Sequence, residues 1–154
     1  MRIAIDAMGG DFAPANVVDG SLIAGRHLGI GLILVGPADL INRELERHRD
    51  TADLDLSVVD APDVIGMSEV SVKSLQSKRD SSIKIAMDLV ASGEASEVVS
   101  AGNTGAAVMA AHRTFGLLPN IDRLALATRI PTKRREAVLL DSGVNLECRP
   151  KHLL

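Results

Sequence analysis

Aromatic side chains are almost absent from this sequence: two phenylalanines, no tryptophan and no tyrosine among 154 residues. That excludes base stacking on aromatic platforms as a way of binding single-stranded nucleic acid. It also leaves the core to Ile, Leu, Val, Ala and Met. Cysteine is nearly absent too. Cys148 stands alone, so no internal disulfide forms, and a reducing cytoplasmic setting is expected. Positive charge is not in excess: 17 Lys and Arg against 20 Asp and Glu leave a net charge of −3, without the overall basic footprint of a duplex-binding protein. No apolar run approaches the ~20 residues that span a bilayer, and Asp6 comes too early for a secretory signal. What remains is 46% hydrophobic, enough to bury the core of a single soluble domain over residues 1–154.

Apolar runs alternate with helical periodicity. "RIAIDA" reads as a buried strand broken by "MGGDFAP", and a helix is expected from Ala15 to Leu28 with Val17, Ala24 and Leu28 on one face and Val18 and Leu22 beside them. "LILVG" reads as a strand, "ADLINRELERH" as a helix turning Ile41 and Leu45 inward, and "LSVVDA" as a third strand. The polar stretch "PDVIGMSEVSVKSLQSKRD" reads as an excursion with one short helix. In "SSIKIAMDLVASGE", Ile83, Ala86, Met87 and Val90 recur at i, i+3, i+4, i+7 and Gly93 gives the stop. "EVVSAG" is a strand. "NTGAAVMAAHRTFG" is a helix apolar on most sides, expected to be buried, His112 included. "LALATRI" and "AVLLDSG" are two further strands around the basic turn "PTKRRE". This alternation predicts an α/β fold, a mostly parallel sheet with helices on both faces, whose ligands bind beyond the carboxyl ends of strands. "DAMGGDFAP", "SAGNTGA" and "DSGVN" are all expected at such ends.

"SAGNTGA" carries the strongest chemical signal. Gly102 and Gly105 let the backbone approach a ligand, Asn103 or Thr104 caps the following helix or donates to an anion, and the first N–H groups of that helix carry partial positive charge. Together they suit a phosphate or carboxylate. A tight strand–helix turn whose glycines serve packing is the equally open alternative. The stretch is neither a P-loop nor a dinucleotide fingerprint. In the first loop, Gly9 and Gly10 free the backbone and Asp6 and Asp11 bracket the turn. Asp11 suits a turn former, and Asp6, at the end of a buried strand, needs hydrogen-bond donors. Lys78 and Arg79 stand before a helix with Asp80 or Ser81 as its cap; they strengthen an anion site or form a solvated cluster. Asp141, Gly143 and Asn145 mark a third polar turn. The four histidines show no metal spacing, and no nucleophile elbow is present.

Taken in order, "IAIDAMGGDFAP", "DSSIKIAMDLVASGEASEVVSAGNTGA", "LPNIDRLALATRIPT" and "LLDSGVNLECRP" resemble the bacterial phosphate acyltransferase family of phospholipid synthesis (PlsX) over essentially the whole chain. "AMGGD" with "SAGNTGA" carries most of that specificity. Two positions depart from the family pattern: Leu124 follows Arg123 where proline is usual, and Val144 separates Gly143 from Asn145 where alanine is usual. The resemblance implies a fold like that of isocitrate dehydrogenase and phosphotransacetylase, with this chain as the N-terminal half of an about twofold longer family chain and so an incomplete copy of the fold. It implies transfer of a long acyl chain from acyl carrier protein to inorganic phosphate, with no cofactor and no metal. It further implies a homodimer, cytoplasmic and peripheral at the inner face of the cell membrane. On that reading the catalytic candidates are Asn103, Thr104 and Asp6. Phosphate falls to Gly9, Gly10, Ser100, Gly102, Asn103, Thr104, Gly105, Lys78 and Arg79, and Asp11, Asp141 and Asn145 are further strand-end candidates. Two rival readings are a related enzyme, either a short-chain acetyltransferase or a dehydrogenase gathering Mg²⁺ on Asp6, Asp11 and Asp141, and a non-catalytic binding module.

Overall fold

The computed structural model describes residues 1–49, 51–69 and 71–142. The chain divides into two compact units, Met1–Gly116 and Leu117–Leu154.

The first unit is built on four parallel strands. They are β1 (Arg2–Asp6), β2 (Gly31–Gly36), β3 (Leu56–Asp60) and β4 (Glu97–Val99), in the order β3-β2-β1-β4. Chain order therefore reverses between β1 and β4. β1 registers against β2 from Arg2↔Gly31 to Asp6↔Val35, and against β4 from Ile3↔Glu97 to Ile5↔Val99. The side-chain period of two splits the sheet into two apolar faces. Ile5, Leu32 and Leu34 face α1 (Ala15–Leu28) and α2 (Ala38–Leu45) through Val18, Leu22 and Ile41. Ala4, Ile33 and Val35 face the other way, with Ala86 and Leu89 of α4 (Ser82–Ala91). α3 (Ser71–Ser77) and α5 (Thr104–Phe115) meet α4 in a third cluster of Leu75, Ile83, Ala106 and Ala110. β2 lies between strands and between helix layers, so all six of its residues are buried.

The expected elements of this unit form, with corrections at their faces and ends. α1 has the predicted bounds, and Gly29 at φ +62° ends it as only glycine does readily. Its buried face, however, is Val18, Ser21, Leu22 and Gly25. Val17 and Ala24 lie at the margin, and Leu28 is exposed. α2 stops at Leu45, short of the predicted 38–48. α5 was expected to be buried on most sides, yet only Ala106 and Ala110 are buried. It packs on α3 and α4 by one narrow face, and His112, Arg113 and Phe115 are exposed.

In the second unit, β5 (Ala127–Pro131) and β6 (Glu136–Leu140) pair antiparallel, Ala127↔Leu140 to Pro131↔Glu136, around the turn that carries Lys133, Arg134 and Arg135. Every residue of both strands is exposed.

Candidate functional site

The carboxyl ends of β1 and β4 lie side by side, so the loops that follow them form one site. Asp6 closes β1 and is 4% exposed. Its Oδ1 accepts from the Ser82 hydroxyl at 2.6 Å and from the Met8 N–H at 3.3 Å, and its Oδ2 accepts from the Ser100 hydroxyl at 2.7 Å. The Gly102 N–H in turn donates to Ser100 Oγ at 3.1 Å. A strand-end acid, the head of α4 and the turn after β4 thus share one hydrogen-bonded chain.

Glycine is required where the two loops touch. A Cβ on Gly9 would stand 2.7 Å from Gly102 N and 2.9 Å from Asp6 Oδ2, and one on Gly102 would stand 3.1 Å from Gly9 Cα. Gly10 has φ +112°, which side-chain-bearing residues rarely adopt. The two glycine motifs singled out separately in the sequence are therefore a single backbone junction.

Asn103 is the N-cap of α5: its Oδ1 accepts from the Ala106 N–H at 3.0 Å. Its amide nitrogen donates to the carbonyls of Gly66, Met67 and Glu69, at 3.3, 3.2 and 3.1 Å. This side chain seats the helix and holds the overhanging loop 66–69. Thr104 and Gly105, the first two residues of α5, are exposed, and their N–H groups have no acceptor within the helix.

Lys78 and Arg79, expected at the anion site, have surroundings of their own. Lys78 Nζ donates to Glu69 Oε1 and to the Val64 carbonyl, each at 2.5 Å. Glu69 also accepts from the Gly66 N–H at 2.8 Å and the Ser74 hydroxyl at 2.7 Å. The Lys78 hydrogen bond, then those of Gly66 and Ser74, lower the Glu69 carboxyl from 4.5 to about 2. Arg79 lines a separate groove of about 350 Å³ with Gln76, Lys84 and Arg113. Asp11 is exposed on the turn after β1. Asp141 follows β6 in the second unit, ion-paired with Arg123 at 2.8 Å; Asn145 and Cys148 lie outside the described residues. Among the described residues, no three His, Cys, Asp or Glu side chains gather as a metal-holding group, and no helix is long and apolar enough to cross a membrane.

Sequence reasoning missed Ser82 and Glu69. The signal for Ser82 was available, since a buried strand-end acid needs donors and "DSS" opens the next helix. Glu69 sits in the polar excursion, where nothing in the spacing marks its partners.

A family model described as "Fatty acid synthesis protein" matches residues 1–154. The chain belongs to that family. Relatives of the fatty acid synthesis family named "Phosphate acyltransferase" include those of Geobacter sulfurreducens (45% identical over 154 residues), Desulforamulus reducens (44% over 153) and Pelotomaculum thermopropionicum (46% over 154). The alignments cover 100%, 99% and 100% of this chain, but only 44%, 45% and 44% of the relatives. The chain therefore spans less than half the length of these family members.

Proposed function

We propose that this chain forms the phosphate-holding part of a phosphate acyltransferase that moves a fatty acyl group from acyl carrier protein to inorganic phosphate. The observation that carries the reading is the Gly9–Gly102 junction, set at the reversal of strand order beside the N-terminus of α5, in a family whose relatives bear that activity as a name. In open α/β sheets that crevice is where ligands bind, and a helix N-terminus supplies donors and partial positive charge for an anion.

In the reaction a phosphate oxygen attacks the thioester carbonyl, the C–S bond breaks, and the carrier thiolate leaves as acyl phosphate forms. The demand on the protein is to position a dianion and to stabilise the oxyanion that develops. The Thr104 and Gly105 N–H groups, with the Thr104 hydroxyl, hold phosphate, and Gly9, Gly10 and Gly102 let it approach the backbone. Asp6, Ser100 and Asn103 are positioning residues: the first two set the Gly102 turn and the last seats α5. The same reading takes residues 1–154 as a portion of one larger α/β domain, in a homodimer that works in the cytoplasm and touches the membrane peripherally.

Thr104→Pro tests the phosphate site. Proline suits the first helical position, and Asn103 before it already has an extended backbone, φ −63° and ψ 110°. The variant loses one N–H and one hydroxyl while α5 stays intact. A hydrogen bond to a charged group is worth about 1.5–3 kcal/mol, so phosphate affinity, read by calorimetry, falls about ten- to a hundredfold with unchanged melting. Unchanged affinity in a variant that melts normally, or no phosphate binding by the parent chain, overturns the site.

A further inference from the structure

Positive charge is outnumbered in this chain, 17 Lys and Arg against 20 Asp and Glu, yet it gathers in one groove of the first unit. The groove has a volume of about 350 Å³ and is lined by Leu75, Gln76, Arg79, Lys84 and Arg113. No carboxylate lines it, and neither do Gly9, Gly10 or residues 102–105. Its three cations come from three places in the chain: Arg79 from the turn after α3, Lys84 from the first turn of α4 and Arg113 from the last turn of α5. Two of them are held in place. Arg113 Nη1 donates to the Leu75 carbonyl at 3.0 Å, and Lys84 pairs with Asp88, which also accepts from the Thr114 hydroxyl at 3.4 Å. Arg79 is exposed, and among the described residues its side chain has no hydrogen-bond or ion-pair partner. With Asp88 set against Lys84, the charges of the two arginines remain in excess.

We propose that this groove binds the phosphoryl group of a small phosphate monoester, at a site separate from the one at the head of α5; the proposal does not rest on the acyl-transfer reading. A phosphoryl dianion carries about −1.5 to −2 charges near pH 7. That balances the excess in the groove, where a carboxylate would leave half of it unmet. Its three terminal oxygens also give each of three converging cations an acceptor, and guanidinium forks fit such a group bidentately. Arg113 and Lys84 are already held, so binding orders chiefly Arg79, and the entropic cost is small. The volume lies in the range of small-molecule sites and exceeds what a bare phosphoryl group fills. Buried Leu75 and exposed Gln76 offer the ester group an apolar floor and an amide.

The test is calorimetry with phenyl phosphate and benzoate, which share the organic group and differ in the anion. It is run on the parent chain and on Thr104→Pro, which removes the site at α5. In both, phenyl phosphate binds and benzoate binds at least about tenfold more weakly. Affinity for phenyl phosphate falls as pH drops below about 6, where the dianion takes up a proton. Arg79→Gln lowers that affinity about tenfold and leaves melting unchanged, because the side chain it removes has no partner among the described residues. Lys133→Gln takes the same charge from the exposed turn of the second unit and leaves the affinity unchanged. A parent chain that binds no phenyl phosphate overturns the proposal, as does benzoate binding equal to it. Binding that Thr104→Pro abolishes and Arg79→Gln spares belongs to the head of α5 and overturns it too. Equal losses in Arg79→Gln and Lys133→Gln reduce the effect to net charge and do the same. A glutamate-rich peptide that binds through Arg79 where phenyl phosphate does not makes the groove a protein-docking surface, and again the proposal fails.

Discussion

Asp6 and Glu69 each collect three hydrogen bonds, yet they do different work. Asp6 is buried at 4% exposure and held by two serine hydroxyls and one N–H, with no cation. Glu69, its side chain a third exposed, is held by a lysine, a serine and an N–H. Asn103 and Gly102 link the two clusters: the Asn103 amide reaches the Glu69 carbonyl, and the adjacent Gly102 N–H reaches Ser100. A buried carboxylate without a counter-charge depends on every donor it has. A carboxylate open to water gains less from its partners, because solvent screens the pair. Asp6 therefore fixes the junction of the two loops, and Glu69 only steadies the loop that overhangs it.

The largest effect should come from Gly9→Ala. The new Cβ meets backbone at Gly102 and the carboxylate of Asp6 together, and neither can withdraw without breaking the hydrogen-bonded chain. A loss of about 3 kcal/mol or more is expected in urea denaturation. Gly20→Ala is the control within the same unit: it relieves a helical glycine in open space and should stabilise by up to about 1 kcal/mol. Equal effects at the two positions would remove the junction's special status. Asp6→Ala comes next. It strands the Ser82 and Ser100 hydroxyls, for a loss of about 2 kcal/mol or more at about 1–3 kcal/mol per orphaned group. Asp6→Asn keeps one acceptor oxygen and should lose less. If alanine and asparagine are equally mild, the cluster does not hold the junction.

The parallel sheet was legible because its signals are local and strong: the apolar runs of β1 to β3, the period of α4, and Gly29 and Gly93 as stops, the latter at φ +83°. The approach of "AMGGD" to "SAGNTGA" was legible too, because an alternating α/β pattern sends successive strand ends to one edge. Three other features were not. The polarity of α5 depends on which neighbours meet it, and one narrow face against α3 and α4 leaves His112 in water. Lys78 reads as a free cation until the fold brings Glu69 nine residues back onto its Nζ. The amide of Asn103 reads as an anion donor until carbonyls 34 to 37 residues away take it up. In each case the deciding partner comes from the tertiary fold, and for Lys78 and Asn103 it lies among residues 64–69, where hydrophobic period is weak.

The smallest expected effect is a titration at Glu69. The Glu69 carboxyl is lowered from 4.5 to about 2, first by the Lys78 hydrogen bond. A carboxyl lowered in the folded state contributes stability above its unfolded value and loses it as pH falls. The contribution of Glu69 is thus full above about pH 4.5, shrinks as the unfolded chain takes up a proton that the folded one refuses, and is gone below about pH 2. The Gly66 amide donates directly to this carboxylate, so its proton chemical shift reports the titration. In the parent chain its midpoint should lie near 2. In Lys78→Met it should move up toward 4.5, since the largest cause of the lowering is gone, and in Glu69→Gln the titration should vanish. Thermal melting above pH 5, where that contribution is full, should fall in both variants, though less than in the Asp6 series because solvent screens the exposed pair. A parent midpoint near 4.5 would mean that Lys78 and Glu69 do not hold each other in solution; Lys78 would then be available to the anion site after all, and the division of labour between the two carboxylates would have to be redrawn.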